Sequence, residues 1–199
     1  MRPPPLPLHV TGVILAAGKS TRMGRDKAFL PLANGTTLVA HQAALLRSIH
    51  VNDLLISARP HTDYHVPGAH RVYDTHPDTG PLAGIAAALS HSKQPHLLAL
   101  AVDLPHLTAH FLRSLLEHTA PGIGAVPVTD RGFEPLCAVY PNTPDIRAAI
   151  SGALASHDLS LQHLLRAAVD AGWMRSVPVA DTDLPLFTNW NSPSDVSPK

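Results

Sequence analysis

A chain of 199 residues can bury one sizeable core, and equal totals of 15 Lys+Arg and 15 Asp+Glu leave no global field favouring nucleic acid or an acidic membrane surface. The lone cysteine, Cys137, excludes an internal disulfide and a cysteine-rich zinc site, fits a reducing compartment, and reads as a core residue. No run reaches the ~18 apolar residues of a membrane span and the proline-rich start lacks a signal peptide's apolar stretch, so the expectation is a soluble, cytoplasmic protein, one domain over 1–199 with frayed ends at 1–8 and 193–199.

The first predicted strand, 10–15, runs straight into Leu15-Ala16-Ala17-Gly18-Lys19-Ser20-Thr21-Arg22-Met23-Gly24-Arg25-Asp26-Lys27. Small residues let a backbone approach an anion closely, its N–H groups can form a nest around phosphate oxygens, and the cations add charge. This is a phosphate-binding loop at a strand end. It is not a Walker A loop: that pattern needs a glycine five residues before Gly18-Lys19, where Val13 stands. Without the clustered cations the same glycines would mark only a strand-to-helix turn.

A helix follows from a cap at Thr36 or Thr37 to His50, and then strands at 53–58 and 70–73. Helices at 81–90 and 108–118 flank a strand at 96–102. Beyond them come strands at 124–128 and 135–140, a helix opened by Thr143-Pro144-Asp145, a helix over 160–171 stopped by Gly172, and a strand at 175–179. Such alternation predicts βαβ units and a mainly parallel sheet. The pairs His61/His65 and His106/His110 have a helical i,i+4 spacing that could grip a metal, but neither has a third ligand at a telling interval, and they read as surface or capping residues.

In an open parallel sheet, ligands bind outside the carboxyl ends of the strands. Two further clusters fall there. Asp103 ends the apolar run 97–102 and is the hard oxygen donor that Mg²⁺ takes, although the same residue could equally cap the turn before Thr108. Asp74 ends the strand at 70–73 and is followed by Thr79-Gly80-Pro81-Leu82-Ala83-Gly84-Ile85, a glycine-rich turn opening a helix, which suits close approach to a base or sugar and could also be a turn alone. Phosphate loop, strand-end carboxylate and second glycine turn together describe an enzyme that holds a nucleoside triphosphate with Mg²⁺. No Ser-His-Asp or Cys-His arrangement and no aromatic-basic stripe has comparable context.

The run from Leu15 to Lys27 resembles the opening signature of nucleotidyltransferases: Leu-Ala-(Gly or Ala)-Gly, then Ser, Arg-Met-Gly and a lysine. With Asp74, Gly80-Pro81-Leu82-Ala83-Gly84-Ile85, Asp103-Leu104-Pro105, Glu134-Pro135-Leu136-Cys137-Ala138-Val139-Tyr140 and Phe187-Thr188-Asn189-Trp190-Asn191-Ser192-Pro193 in the same order, nearly the whole chain is similar to the molybdenum cofactor guanylyltransferases. The Glu-Pro-Leu and Asn-x-Asn-x-Pro segments point to that branch. The resemblance implies a three-layer α/β/α fold with a mostly parallel, Rossmann-like sheet of the nucleotide-diphospho-sugar transferase type.

It also implies roles. Leu15, Ala16, Ala17 and Gly18 would hold the nucleotide, with Ser57, Asp74, Gly80, Pro81 and Leu82 around the nucleoside. Lys27 would contact the phosphates, Asp103 would ligate Mg²⁺, and Arg22, Lys27 and Asp103 would form the catalytic set. Glu134, Asn189 and Asn191 would face the acceptor. The implied reaction joins GMP from Mg·GTP to the phosphate of molybdopterin cofactor and releases pyrophosphate. GTP and molybdopterin cofactor would be the partners, with transient contact to proteins that deliver or receive the cofactor, and with neither nucleic acid nor membrane.

Two positions depart from the pattern. Ala17 replaces a second glycine and matches cytidylyltransferases and sugar-nucleotide relatives, while Ser57 replaces an asparagine and offers fewer donors. The same chemistry with CTP or with a sugar-phosphate acceptor therefore stays open, as does a non-catalytic protein that binds nucleotide or cofactor.

Overall fold

A computed structural model describes residues 9–18, 26–74 and 79–190. The fraying expected at 1–8 and 193–199 lies outside these residues, as do Arg22 and Asn191.

Eight strands form one sheet, β1 (Val10–Leu15), β2 (Asp53–Ala58), β3 (His70–Tyr73), β4 (His96–Ala101), β5 (Gly124–Thr129), β6 (Gly132–Phe133), β7 (Cys137–Pro141) and β8 (Met174–Pro178). The order is β3-β2-β1-β4-β7-β5-β6, with β8 paired to β5. Strands β3, β2, β1 and β4 run parallel, and β8 is parallel to β5. Strand β7 is antiparallel to both β4 and β5, and β6 is antiparallel to β5. Between β5 and β7 there is only the short β6 and a turn, and a parallel crossover needs a dozen or so residues, so β7 must return in the opposite direction.

Among the described residues five α-helices cover the sheet: α1 (Leu38–Ser48), α2 (Pro81–His91), α3 (Ala109–Glu117), α4 (Pro144–Ser156) and α5 (Leu161–Asp170). The capping hydroxyls of Thr37, Thr108, Thr143 and Ser160 each accept from a backbone N–H in the first turn. Helix α1 stops at Ser48, two residues before the expected His50, which takes a left-handed φ of 62°. The strand expected at 135–140 begins at Cys137, because Cys137 N–H closes a turn onto Glu134 O at 3.1 Å.

Alternate residues of each central strand feed opposite layers. Leu98 and Leu100 of β4 pack with α1 and α3, whereas Leu97 and Ala99 pack with α2, α4 and α5. Val10 and Ile14 of β1 join the first core and Val13 joins the second. The result is the three-layer α/β/α arrangement with β1 and β4 buried on both faces.

The histidine pairs do not take up their helical spacing as metal grips. His61 and His65 lie in the irregular β2–β3 connection with φ of 63° and 50°, and His106 precedes α3, its ring meeting Trp190 edge-on. Among the described residues no three His, Cys, Asp or Glu side chains are grouped to hold a metal, and no helix is long and apolar enough to cross a membrane.

Candidate functional site

Register levels the strand ends. Leu15 pairs with Ser57 on one side and Ala101 on the other, and Ala58 pairs with Tyr73, so the chain leaves β1, β2, β3 and β4 along one edge. Residues 16–18, Asp74 and Asp103 emerge there. The N-terminus of α2 follows β3 at that edge, opened by Gly80 at φ 67°, a left-handed conformation that favours glycine, and by Pro81 in the first turn. Because β7 is antiparallel, its start at Cys137, paired with Leu100, brings Glu134 and Leu136 to the same edge, and Ala101 N–H donates to Leu136 O at 2.7 Å. The chain returns once more near its end, where Trp190 N–H donates to Asp103 O at 3.0 Å and places the exposed Asn189 beside that loop.

Lys27 and Asp103 meet directly. Lys27 opens a 3₁₀ turn over Lys27–Phe29 whose N-cap is Asp26, its carboxylate accepting from Ala28 N–H at 3.0 Å. From that turn Lys27 Nζ donates to Asp103 Oδ2 at 2.9 Å. Asp103 does not cap α3, a place taken by Thr108 Oγ1, which accepts from Phe111 N–H at 3.2 Å. The two flanks of the glycine- and cation-rich segment expected to bind phosphate are thus held by β1 on one side and by the Lys27–Asp103 contact on the other.

Arg59, just past β2, touches both flanks of that loop. Its Nε donates to Ala17 O at 3.3 Å and its Nη1 stands 3.7 Å from Asp26 Oδ2. Tyr64 adds a hydroxyl donated to Ala16 O at 3.4 Å, and burial pushes its phenol above the ordinary value. Sequence reasoning missed Arg59 and Tyr64, since they lie in an irregular connection with no periodic signal.

The remaining candidates are distributed around this pair. Ser57 is buried beneath α2, and its carbonyl accepts from Ala16 N–H at 3.1 Å, so it fixes the loop's first residue through backbone. Leu82 is buried at the start of α2, while Gly80 and Pro81 are exposed. Glu134 accepts from Thr129 Oγ1 at 3.3 Å, and partial burial holds its carboxyl above the ordinary range despite that bond. Cys137 is fully buried, and burial pushes its thiol far up, so it is a core residue with no accessible thiolate.

Residues 12–181 match the family model of the MobA-like NTP transferase domain. A "Probable molybdenum cofactor guanylyltransferase" of Opitutus terrae is 35% identical over 189 residues, covering 94% of this chain and 92% of that protein. In fold, the crystal structure of molybdopterin-guanine dinucleotide biosynthesis protein A from Archaeoglobus fulgidus is similar at a TM-score of 0.67 and 22% identity, with 94% of each chain covered. The 2-C-methyl-D-erythritol 4-phosphate cytidylyltransferase of Thermus thermophilus is similar at 0.66 and 18% identity, over 92% of this chain and 94% of that one. Architecture alone therefore does not choose the base.

Proposed function

The chain belongs to the MobA-like NTP transferase family, among the molybdenum cofactor guanylyltransferases, and from that membership we propose that it transfers GMP from Mg·GTP to the phosphate of molybdopterin cofactor, releasing pyrophosphate. The observation that carries the reading is the Lys27–Asp103 contact at the carboxyl edge of the sheet, beside residues 16–18. A cation for phosphates and a carboxylate for their counter-ion meet where an α/β sheet binds ligands.

In this reading an oxygen of the acceptor phosphate attacks the α-phosphorus in line. One O–P bond forms as the bond to the β-phosphate oxygen breaks, and negative charge grows on the departing pyrophosphate. Backbone N–H groups of the loop from Ala17 onward cradle the phosphates, Lys27 is the fixed cation against the developing charge, and Arg22 is assigned to the same task. Asp74 and the N-terminus of α2 face the nucleoside, and Glu134, Asn189 and Asn191 the acceptor. No protein nucleophile is required, and Cys137 offers none.

The donor set fits Mg²⁺ that arrives with the nucleotide. Asp103 is a single carboxylate with a side chain 20% exposed, too little for a caged ion but suited to a metal that fills its octahedron with phosphate oxygens and water. Bound there, Mg²⁺ would screen the repulsion between two anionic reactants.

Pyrophosphate release from GTP, CTP, ATP and UTP, each with Mg²⁺ and with or without molybdopterin cofactor, tests the proposal. Release with GTP that requires the cofactor is expected. Release with CTP alone would make the chain a cytidylyltransferase, the reading that Ala17 favours. Turnover only with a sugar phosphate would change the acceptor. Nucleotide binding without any release would leave a non-catalytic binding protein.

A further inference from the structure

Three successive carbonyls past the end of β4 are held by donors from distant segments. Trp190 N–H donates to Asp103 O at 3.0 Å, Gln42 Nε2 to Leu104 O at 2.7 Å, and His41 Nε2 lies 3.0 Å from Pro105 O. A carbonyl can only accept, so His41 carries a proton on Nε2. Both side chains come from one turn of α1, more than 60 positions away in sequence.

Packing does not account for Gln42. Helix α1 turns Leu38, Val39, Ala43 and Leu46 into the core, and Gln42 sits among them with no exposed surface. Its Oε1 has no hydrogen-bond partner among the described residues. A buried amide oxygen left without a partner is a standing cost that leucine or methionine at the same place would avoid. The other half of the amide makes the short bond to Leu104 O, which also accepts a long 3.5 Å contact from Leu107 N–H.

We propose that Gln42 and His41 are positioning residues for the reaction: by pinning the carbonyls of Leu104 and Pro105 they fix the strand-end loop on which Asp103 meets Lys27 and receives the nucleotide-borne metal. The proposal rests on Asp103 being that metal's carboxylate. Holding the backbone from α1 leaves the Asp103 side chain to its metal and to Lys27, and residues behind a ligand set its reach as much as the ligand itself.

The test compares the full-length parent with Gln42→Leu, His41→Phe and the conservative His41→Gln, by amide hydrogen exchange at Leu104, His106 and Leu107, by thermal unfolding, and by kcat and KM for Mg·GTP in pyrophosphate release. Gln42→Leu should unfold at nearly the parent temperature, exchange faster at those amides, and lose about 10–100-fold in kcat with little change in KM for Mg·GTP. His41→Phe should behave alike, and His41→Gln, which can still donate, should recover most of the loss. Unchanged exchange and kcat in Gln42→Leu would overturn the proposal, as would a loss that only tracks the unfolded fraction. Should the parent release no pyrophosphate from GTP, the GMP-transfer reading fails by itself, and the exchange data still decide whether α1 pins the loop.

Discussion

Lys27 Nζ and Asp103 Oδ2 are 2.9 Å apart across 76 positions of sequence, with side chains 17% and 20% exposed. A partly solvated ion pair of this kind contributes about 0–1 kcal/mol to stability. Stability is thus a poor reason for placing it. What the pair does is to set a cation and a carboxylate side by side at the carboxyl edge of the sheet, where the proposed function puts a triphosphate and its counter-ion.

Asp103→Asn separates the two roles. Asparagine keeps the size and can accept from Lys27, so the melting temperature should hardly move. Turnover should fall about 10²–10³-fold, the scale of losing one electrostatic stabiliser of a transition state. Steady-state pyrophosphate release at saturating GTP and Mg²⁺ reads this, and a variant at parental rate removes Asp103 from the reaction.

Lys27→Ala should lower turnover and, unlike Asp103→Asn, also act on KM. A charge-assisted hydrogen bond is worth about 1.5–3 kcal/mol, so its removal should raise KM for the triphosphate by roughly 10–100-fold. Arginine should restore little of it, since its planar fork cannot replace a compact ammonium on the same short turn. If KM is unmoved and only the melting temperature shifts, the lysine is a strut.

Much of this arrangement was legible in the residues. Strands 10–15 and 53–58 fall where the apolar runs place them, because strands that lose solvent on both faces write their boundaries in nearly continuous apolar sequence. The cap at Thr143 was equally plain, and Thr37 was one of two candidates. Strand direction was not. Apolar runs report burial, and Cys137–Pro141 reads the same whichever way it points. The turn over Lys27–Phe29 carries no period, being set by the Asp26 carboxylate and by tertiary contacts. Gln42 did leave a trace, a polar residue on the apolar face of α1, but its partner at Leu104 was invisible without the fold.

Gly84 tests how closely α2 must approach the sheet. An added Cβ would come 2.7 Å from Ser57 Oγ and 3.1 Å from a Leu15 methyl. Gly84→Ala gains about 1 kcal/mol in helix propensity and loses about 1–3 kcal/mol to overpacking, so the variant should be net destabilised by up to ~2 kcal/mol. It should also weaken nucleotide binding, because α2 and the end of β1 both frame the loop. Chemical denaturation and GTP titration of one preparation check both, and a variant as stable as the parent would mean that the helix rides higher than its contacts with Ser57 and Leu15 indicate.

Glu134 gives a pH test with a defined sign. Desolvation is the largest influence on its carboxyl and raises it above the ordinary value of 4.5, against the lowering effects of the Thr129 hydroxyl and Arg131. The folded protein therefore binds this proton more tightly than the unfolded chain, and the group costs stability once pH rises through its folded value. Below the unfolded value, near 4.5, the acid is neutral in both states and the cost disappears. Glu134→Gln, which can still accept from Thr129, should therefore be more stable than the parent at pH 7 and equal to it near pH 4. Melting temperatures at the two pH values decide it, and an advantage that persists undiminished at pH 4 would trace to packing instead of charge. Any loss of acceptor-dependent turnover in the same variant at pH 7 would then be chargeable to the missing carboxylate, since the fold had not been weakened.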